Sequence, residues 1–178
     1  MKKKRKWIIT ACLLFCLAAA GAVYTQSWTI EEQYYALDLS KCTKIEGTWE
    51  YSGERLKVGE RQNFELNPGD ENFDKLMELI QKTEFQTRLT NLIPRGKGAV
   101  DYHSPEAGDF LWDLWFVFDK PVLLDDGSSV EGSLLNIHNF YGKITVRWMP
   151  GDDVAICKAQ NQEIWLAEVF ELISAQEG

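Results

Sequence analysis

The densest run of side chains capable of chemistry is Asp101-Tyr102-His103-Ser104-Pro105-Glu106-Ala107-Gly108-Asp109, in which Asp101, His103, Glu106 and Asp109 fall within nine positions. Carboxylates and an imidazole gathered in one polar loop can serve general acid–base hydrolysis, provided that folding makes them converge in a cleft. The same groups can ligate a divalent ion, but no spacing here follows an established ligand pattern, so no metal is expected. Ser104 next to His103 does not make a nucleophile, because neighbours in sequence rarely face one another. The chain has only two histidines, and the second, His138, lies between Ile137 and Asn139 in a predicted strand, where a hydrogen-bonded structural role is expected. Asp125-Asp126-Gly127-Ser128 and Gly151-Asp152-Asp153 lack the rhythm of a calcium loop and read as turns. Arg95-Gly96-Lys97-Gly98 lacks the phosphate-loop spacing. No cofactor is expected.

Aromatic residues are the other resource. Trp28, Trp49, Trp112, Trp115, Trp148 and Trp165 all follow the N-terminal apolar segment. Periodicity puts Trp112 and Trp165 on apolar faces and leaves Trp115 and Trp148 as candidate surface aromatics, able to stack on a sugar or grip a partner. Cys42 and Cys157 are the cysteines outside the apolar segment. In an oxidising compartment they can form a disulfide, with two buried thiols as the alternative.

The elements that must position these groups read as α+β. Lys44–Tyr51 and Gln62–Leu66 form a strand pair, and Asn67-Pro68-Gly69-Asp70 stops the second strand and caps a helix to about Thr83. Phe85–Leu92 is a further strand. Phe110–Phe118 is apolar on both faces and is expected at the centre of the sheet. Ser133–Phe140 and Lys143–Met149 pair around Tyr141-Gly142, Val154–Cys157 adds a short strand, and Gln162–Ala175 closes the chain as an amphipathic helix. The expected architecture is a single domain: a mostly antiparallel sheet with two amphipathic helices packed on one face.

Where this domain works is written in the first 24 residues. Lys2–Lys6 are five consecutive cations, and Trp7–Tyr24 carries no charge. A basic segment ahead of an apolar helix directs the following chain outward across a membrane. The 18 residues from Trp7 to Tyr24 would span about 27 Å at about 1.5 Å per residue, close to a hydrocarbon core. Cleavage is the alternative fate, since Ala18-Ala19-Ala20 and Ala20-Gly21-Ala22 supply the small residues that a signal peptidase requires. Phe15, immediately before Cys16, is larger than lipoprotein signals accept. The division is therefore a cytoplasmic basic segment at 1–6, a transmembrane anchor or signal peptide at 7–24, a juxtamembrane connector at 25–40 and an extracytoplasmic α+β domain at 41–178. All 27 acidic residues lie at Glu31 or later and five of the 19 basic ones precede Trp7, so the exported part has a formal charge of −13. Such a surface repels phosphate backbones, and no nucleic-acid partner is expected.

The basic export segment, the strand pair from Lys44 to Leu66, the helix Glu71-Asn72-Phe73-Asp74-Lys75-Leu76-Met77-Glu78-Leu79-Ile80 and the hairpin Ile137-His138-Asn139-Phe140-Tyr141-Gly142-Lys143-Ile144 form an order that resembles small extracytoplasmic proteins of Gram-positive bacteria, a group of domains of unknown function. The resemblance implies a location outside the cytoplasmic membrane and a non-enzymatic role. The residues themselves support a binding or interaction module for a protein, peptide or envelope polymer, held to the cell membrane by its N-terminal helix or secreted after cleavage. A secreted hydrolase with an acidic site at Asp101 to Asp109 is the competing class. A third reading is an accessory subunit whose exposed sheet edge pairs with a partner.

Overall fold

The computed structural model describes residues 2–24, 26–34, 37–51, 61–87, 110–119, 122–123, 129–130, 133–140, 142–149 and 154–175. Helix α1 (Lys2–Tyr24) is followed by β1 (Ser27–Trp28), the short α2 (Ile30–Gln33), a 3₁₀ turn at Leu39–Lys41, β2 (Cys42–Tyr51) and β3 (Gln62–Leu66). Then come α3 (Glu71–Lys82), β4 (Phe85–Thr87), β5 (Phe110–Phe118), β6 (Val122–Leu123) and β7 (Ser129–Val130). Strands β8 (Ser133–Phe140), β9 (Lys143–Met149) and β10 (Val154–Ala159) lead into α4 (Gln162–Ser174). The fold is α+β. Among the described residues, eight strands form one sheet in the order β1-β4-β10-β9-β8-β5-β2-β3, all of their pairings antiparallel, and β6 with β7 makes a separate two-stranded ribbon.

Alternation along the strands decides which face is covered. On β5, Trp112, Leu114, Phe116 and Phe118 are buried, whereas Leu111, Asp113, Trp115 and Val117 are half-buried. The same pattern continues across β8, where Leu135, Ile137 and Asn139 are buried, and β9, where Ile144, Val146 and Trp148 are buried. Strand β5 lies between β2 and β8, the central position that its apolar composition predicts. Helix α4 sits on the buried face: the Trp165 ring lies 5.7 Å from Phe85 and 5.6 Å from Trp112. Helix α3 buries Phe73, Leu76, Met77 and Ile80, the residues at helical spacing. It is tied to α4 by Asn72 Nδ2, which donates to the Leu172 carbonyl at 3.1 Å. The β8–β9 turn uses Gly142 at φ +69°, a left-handed conformation that favours glycine.

Two expectations are corrected, and for the cysteines one of two alternatives is selected. Residues 25–40 are not merely a connector. Within that range, β1 pairs with β4, a capping box between Thr29 and Glu32 starts α2, and Ile30, Tyr34, Leu37 and Leu39 are buried in the core. Tyr34 Oη donates to the Val146 carbonyl at 3.3 Å, so this stretch is fastened to the sheet. Trp148 is not a surface aromatic: it is 6% exposed and packs edge-on against Phe118 at 5.8 Å. Cys42 and Cys157 do not form a disulfide; both are free and buried. Cys42 is on β2 and Cys157 on β10, with β5, β8 and β9 between them. Four strand spacings of about 4.8 Å separate two such strands by about 19 Å, against the roughly 4.4–6.8 Å between the Cα atoms of a bridge.

Burial also pushes the Cys42 thiol up to about 11, against smaller opposing contributions from backbone hydrogen bonding at Lys44 and Val117. In a Cys12→Ser, Cys16→Ser background, Cys42 and Cys157 are therefore expected to react with an aromatic disulfide reagent only after denaturation. Rapid labelling of the folded protein, or loss of the free thiols under mild oxidation, would contradict this placement. The strand expected at Phe85–Leu92 is seen as Phe85–Thr87, and Arg88–Leu92 lie outside the described residues.

Among the described residues, no helix is long and apolar enough to cross a membrane. In α1 the described side chains run from Trp7 to Ala22, which falls short of an 18-residue span. They are exposed along most of that length, including Trp7, Ile8, Ile9, Leu13, Leu14, Phe15 and Leu17.

Candidate functional site

The half-buried face of the sheet, opposite the core, brings together polar groups that are far apart in sequence. Across five strands the register places Glu65, Glu46, Trp115, Asn136 and Arg147 side by side. The next row is Asn63, Thr48, Asp113, His138 and Thr145. Facing residues in antiparallel strands have Cβ atoms about 4.5–5.5 Å apart, so each row is a line of contacts.

Asp113 is the hub. Its Oδ2 accepts from Trp115 Nε1 at 3.1 Å, and its Oδ1 accepts from Asn136 Nδ2. Asn136 Nδ2 also donates to the Leu114 carbonyl at 3.0 Å, which holds the amide in place. His138 Nδ1 is 3.7 Å from Asp113 Oδ1, and the imidazole stacks on Phe140 with centroids 5.8 Å apart and planes 15° apart. Burial pushes the Asp113 carboxyl up, but the contacts from His138, Asn136 and Trp115 together outweigh it and hold the group below the ordinary carboxylate range.

This lowered value has a sign that can be tested. A carboxylate depressed in the folded state contributes stability that is fully present above its unfolded value of about 3.9 and is lost as pH falls through the folded value. Asp113→Asn is therefore expected to destabilise the protein most near neutral pH, with the gap to wild type narrowing below about pH 4. Urea unfolding of both proteins at neutral and acid pH measures it. An unchanging gap would show that the carboxylate charge is irrelevant.

Two depressions adjoin on this face, with Thr48 on both rims. One, of about 500 Å³, is lined by Glu46, Thr48, Asn63, Glu65 and Trp115, with Gly47 and Phe64. The other, of about 70 Å³, is bordered by Thr48, Glu50, Arg61, Asp113, His138 and Phe140 among others. Lys44 Nζ lies 2.6 Å from Glu46 and 3.8 Å from Glu65, so one cation is shared by the two carboxylates that line the larger depression and offsets one of their two charges. Among the described residues, no group of three or more His, Cys, Asp or Glu side chains is arranged to hold a metal.

Of the residues singled out from sequence, Trp115 is half-buried on this face and Trp148 is in the core. Asp101, His103, Glu106 and Asp109 lie outside the described residues. His138 is half-exposed, at 37% of its side chain, and belongs to the Asp113 cluster rather than to the core. Asp113 and Asn136 escaped the sequence reading as site residues. The available signal was a carboxylate set into the otherwise apolar strand Phe110–Phe118, but its partners on β8 emerge only with the β5–β8 register.

Comparison with known proteins finds no matching family model, curated protein or solved structure. The site must speak through its own geometry.

Proposed function

We propose that this chain is a membrane-anchored, extracytoplasmic binding module, a single α+β domain in which α3 and α4 cover one sheet face and the other engages an envelope polymer. The observation that carries the reading is Trp115: a half-buried indole on the open face, pinned through its N–H to Asp113 and bordered by a 500 Å³ depression. A fixed aromatic ring with polar groups around it is how a pre-formed binding surface limits the entropy cost of capture. The location rests on sequence: five cations before an uncharged stretch from Trp7 to Tyr24 hold the N-terminus inside and send the rest outward. The acidic charge of −13 beyond that stretch suits a soluble domain in the extracytoplasmic space.

The test uses the full chain. In cells, it is expected to stay with membranes after alkaline carbonate washing and to be digested by protease added from outside. Purified in a detergent without sugar head groups, it is expected to co-sediment with insoluble envelope polymer. Trp115→Ala should weaken that association at least about tenfold, equivalent to about 1.4 kcal/mol. Equal sedimentation of wild type and a folded Trp115→Ala protein would sink the binding-face reading. Quantitative release of the domain from membranes would show that the N-terminal segment is cleaved.

A further inference from the structure

The larger depression on the open face also carries information about what it takes. The Trp115 N–H is already used by Asp113, so what this side chain has left to offer a ligand in the depression is its aromatic ring rather than a donor. Beside it, the Thr48 hydroxyl and the Asn63 amide have no hydrogen-bond partner among the described residues. Those two groups can donate and accept, and both are held on paired strands. The carboxylates of Glu46 and Glu65 share the single cation Lys44, so these three groups carry a formal charge of −1 and both carboxylates are already engaged, on a domain whose formal charge is −13.

Each charged class of ligand meets an obstacle here. An anion finds Lys44 committed to two carboxylates, and the wider surface repels it. A cation must compete with Lys44 for the same oxygens. A neutral ligand with many hydroxyl groups meets neither obstacle. The C–H face of a pyranose is weakly positive and fits against the negative π face of an indole, while its ring hydroxyls reach groups such as Thr48 and Asn63. A volume of about 500 Å³ lies within the range of small-molecule sites.

From this we infer that the depression lined by Trp115, Thr48, Asn63, Glu46 and Glu65 is a subsite for a neutral saccharide unit. The inference rests on the binding-module reading above and specifies its ligand. Recognition is by stacking on Trp115 and hydrogen bonds to Thr48 and Asn63, with no net charge transferred to or from the site.

The experiment titrates full-length protein, in a zwitterionic detergent free of sugar head groups, with chitotriose, cellotriose and maltotriose as separate probes. Saturation-transfer NMR reports the bound ring protons and calorimetry the affinity. At least one neutral trisaccharide is expected to bind, with Trp115→Phe near wild type and Trp115→Ala weaker by at least about tenfold. A Thr48→Ala, Asn63→Ala double variant, which removes no buried group, is expected to lose a similar factor. It keeps the test decisive if Trp115→Ala fails to fold. Addition of 0.5 M salt should leave the affinity within about twofold, because no ion pair forms. Binding that survives both variants would overturn the site. If no neutral saccharide binds but envelope polymer still sediments with the protein in a Trp115-dependent way, the ligand class is wrong while the binding face stands. Binding only of an extended peptide, with shifts confined to the outer edge of β3, would overturn the saccharide and point to strand addition.

Discussion

Trp165→Ala is expected to lower the unfolding free energy by about 3–5 kcal/mol, the range for truncating a large buried aromatic. Trp165 is 4% exposed and its ring touches two partners on the sheet, Phe85 and Trp112. Its Nε1 donates to Thr83 Oγ1 at 2.7 Å, and Thr83 Oγ1 donates in turn to the Leu79 carbonyl at 2.6 Å. One side chain therefore joins α4, the sheet and the end of α3. Removing it opens a cavity where these three elements meet and leaves the surroundings only partly able to collapse. Trp165→Phe separates the contributions: the ring contacts largely remain, the hydrogen bond goes, and about 1 kcal/mol is the expected loss. Urea denaturation followed by circular dichroism measures both variants. A Trp165→Ala protein within 1 kcal/mol of wild type would mean that α4 is not fastened to the sheet through this residue.

Gly47→Ala is expected to cost about 3 kcal/mol, the upper end of overpacking effects, although it adds a single methyl group. Gly47 lies on β2 between Phe64 of β3 and Leu114 of β5. A Cβ built there falls 1.9 Å from the Asp113 carbonyl oxygen and 3.1 Å from Phe64 Cζ. The first contact is with backbone, which cannot swing aside as a flexible side chain can. The β2–β5 pair must move apart, and with it the strand that carries Asp113 and Trp115. The variant should therefore unfold at a lower temperature and also lose affinity at the open face. Thermal unfolding together with polymer sedimentation tests both effects. Normal values for both would mean that the two strands part at little cost.

The sheet was legible wherever a strand alternates against the core. Ile144, Val146 and Trp148 face inward while Lys143, Thr145, Arg147 and Met149 are half-buried, and that rhythm is already present in the letters. That period puts Trp148 on the inward face with Ile144 and Val146, against its expected place at the surface. Residues 25–40 were harder. Ile30, Tyr34, Leu37 and Leu39 have no single spacing because they pass from a short helix into a 3₁₀ turn. Beside an apolar helix, such a stretch looks like spacer. Cysteine pairing was unreadable for a different reason: it depends on strand order, and β10 joins the far side of the sheet from β2. The same holds for the site. Asp113, Asn136 and His138 become neighbours through one register between β5 and β8, which no local pattern reports.

The passage from α1 to the folded domain has a mechanical meaning. Helix α1 ends at Tyr24 and β1 begins at Ser27, so two residues join them, spanning at most about 11 Å between Cα atoms. For a protein retained by its helix, that is too short a leash for the domain to tumble freely, and the β1 edge becomes its footing on the lipid surface. Strand β3 stands at the opposite end of the sheet, seven inter-strand steps away, or about 34 Å measured along the sheet. On the proposed anchored arrangement, the pocket beside Trp115 would stand near the end of a short mast, placed for polymer above the bilayer rather than within its head groups.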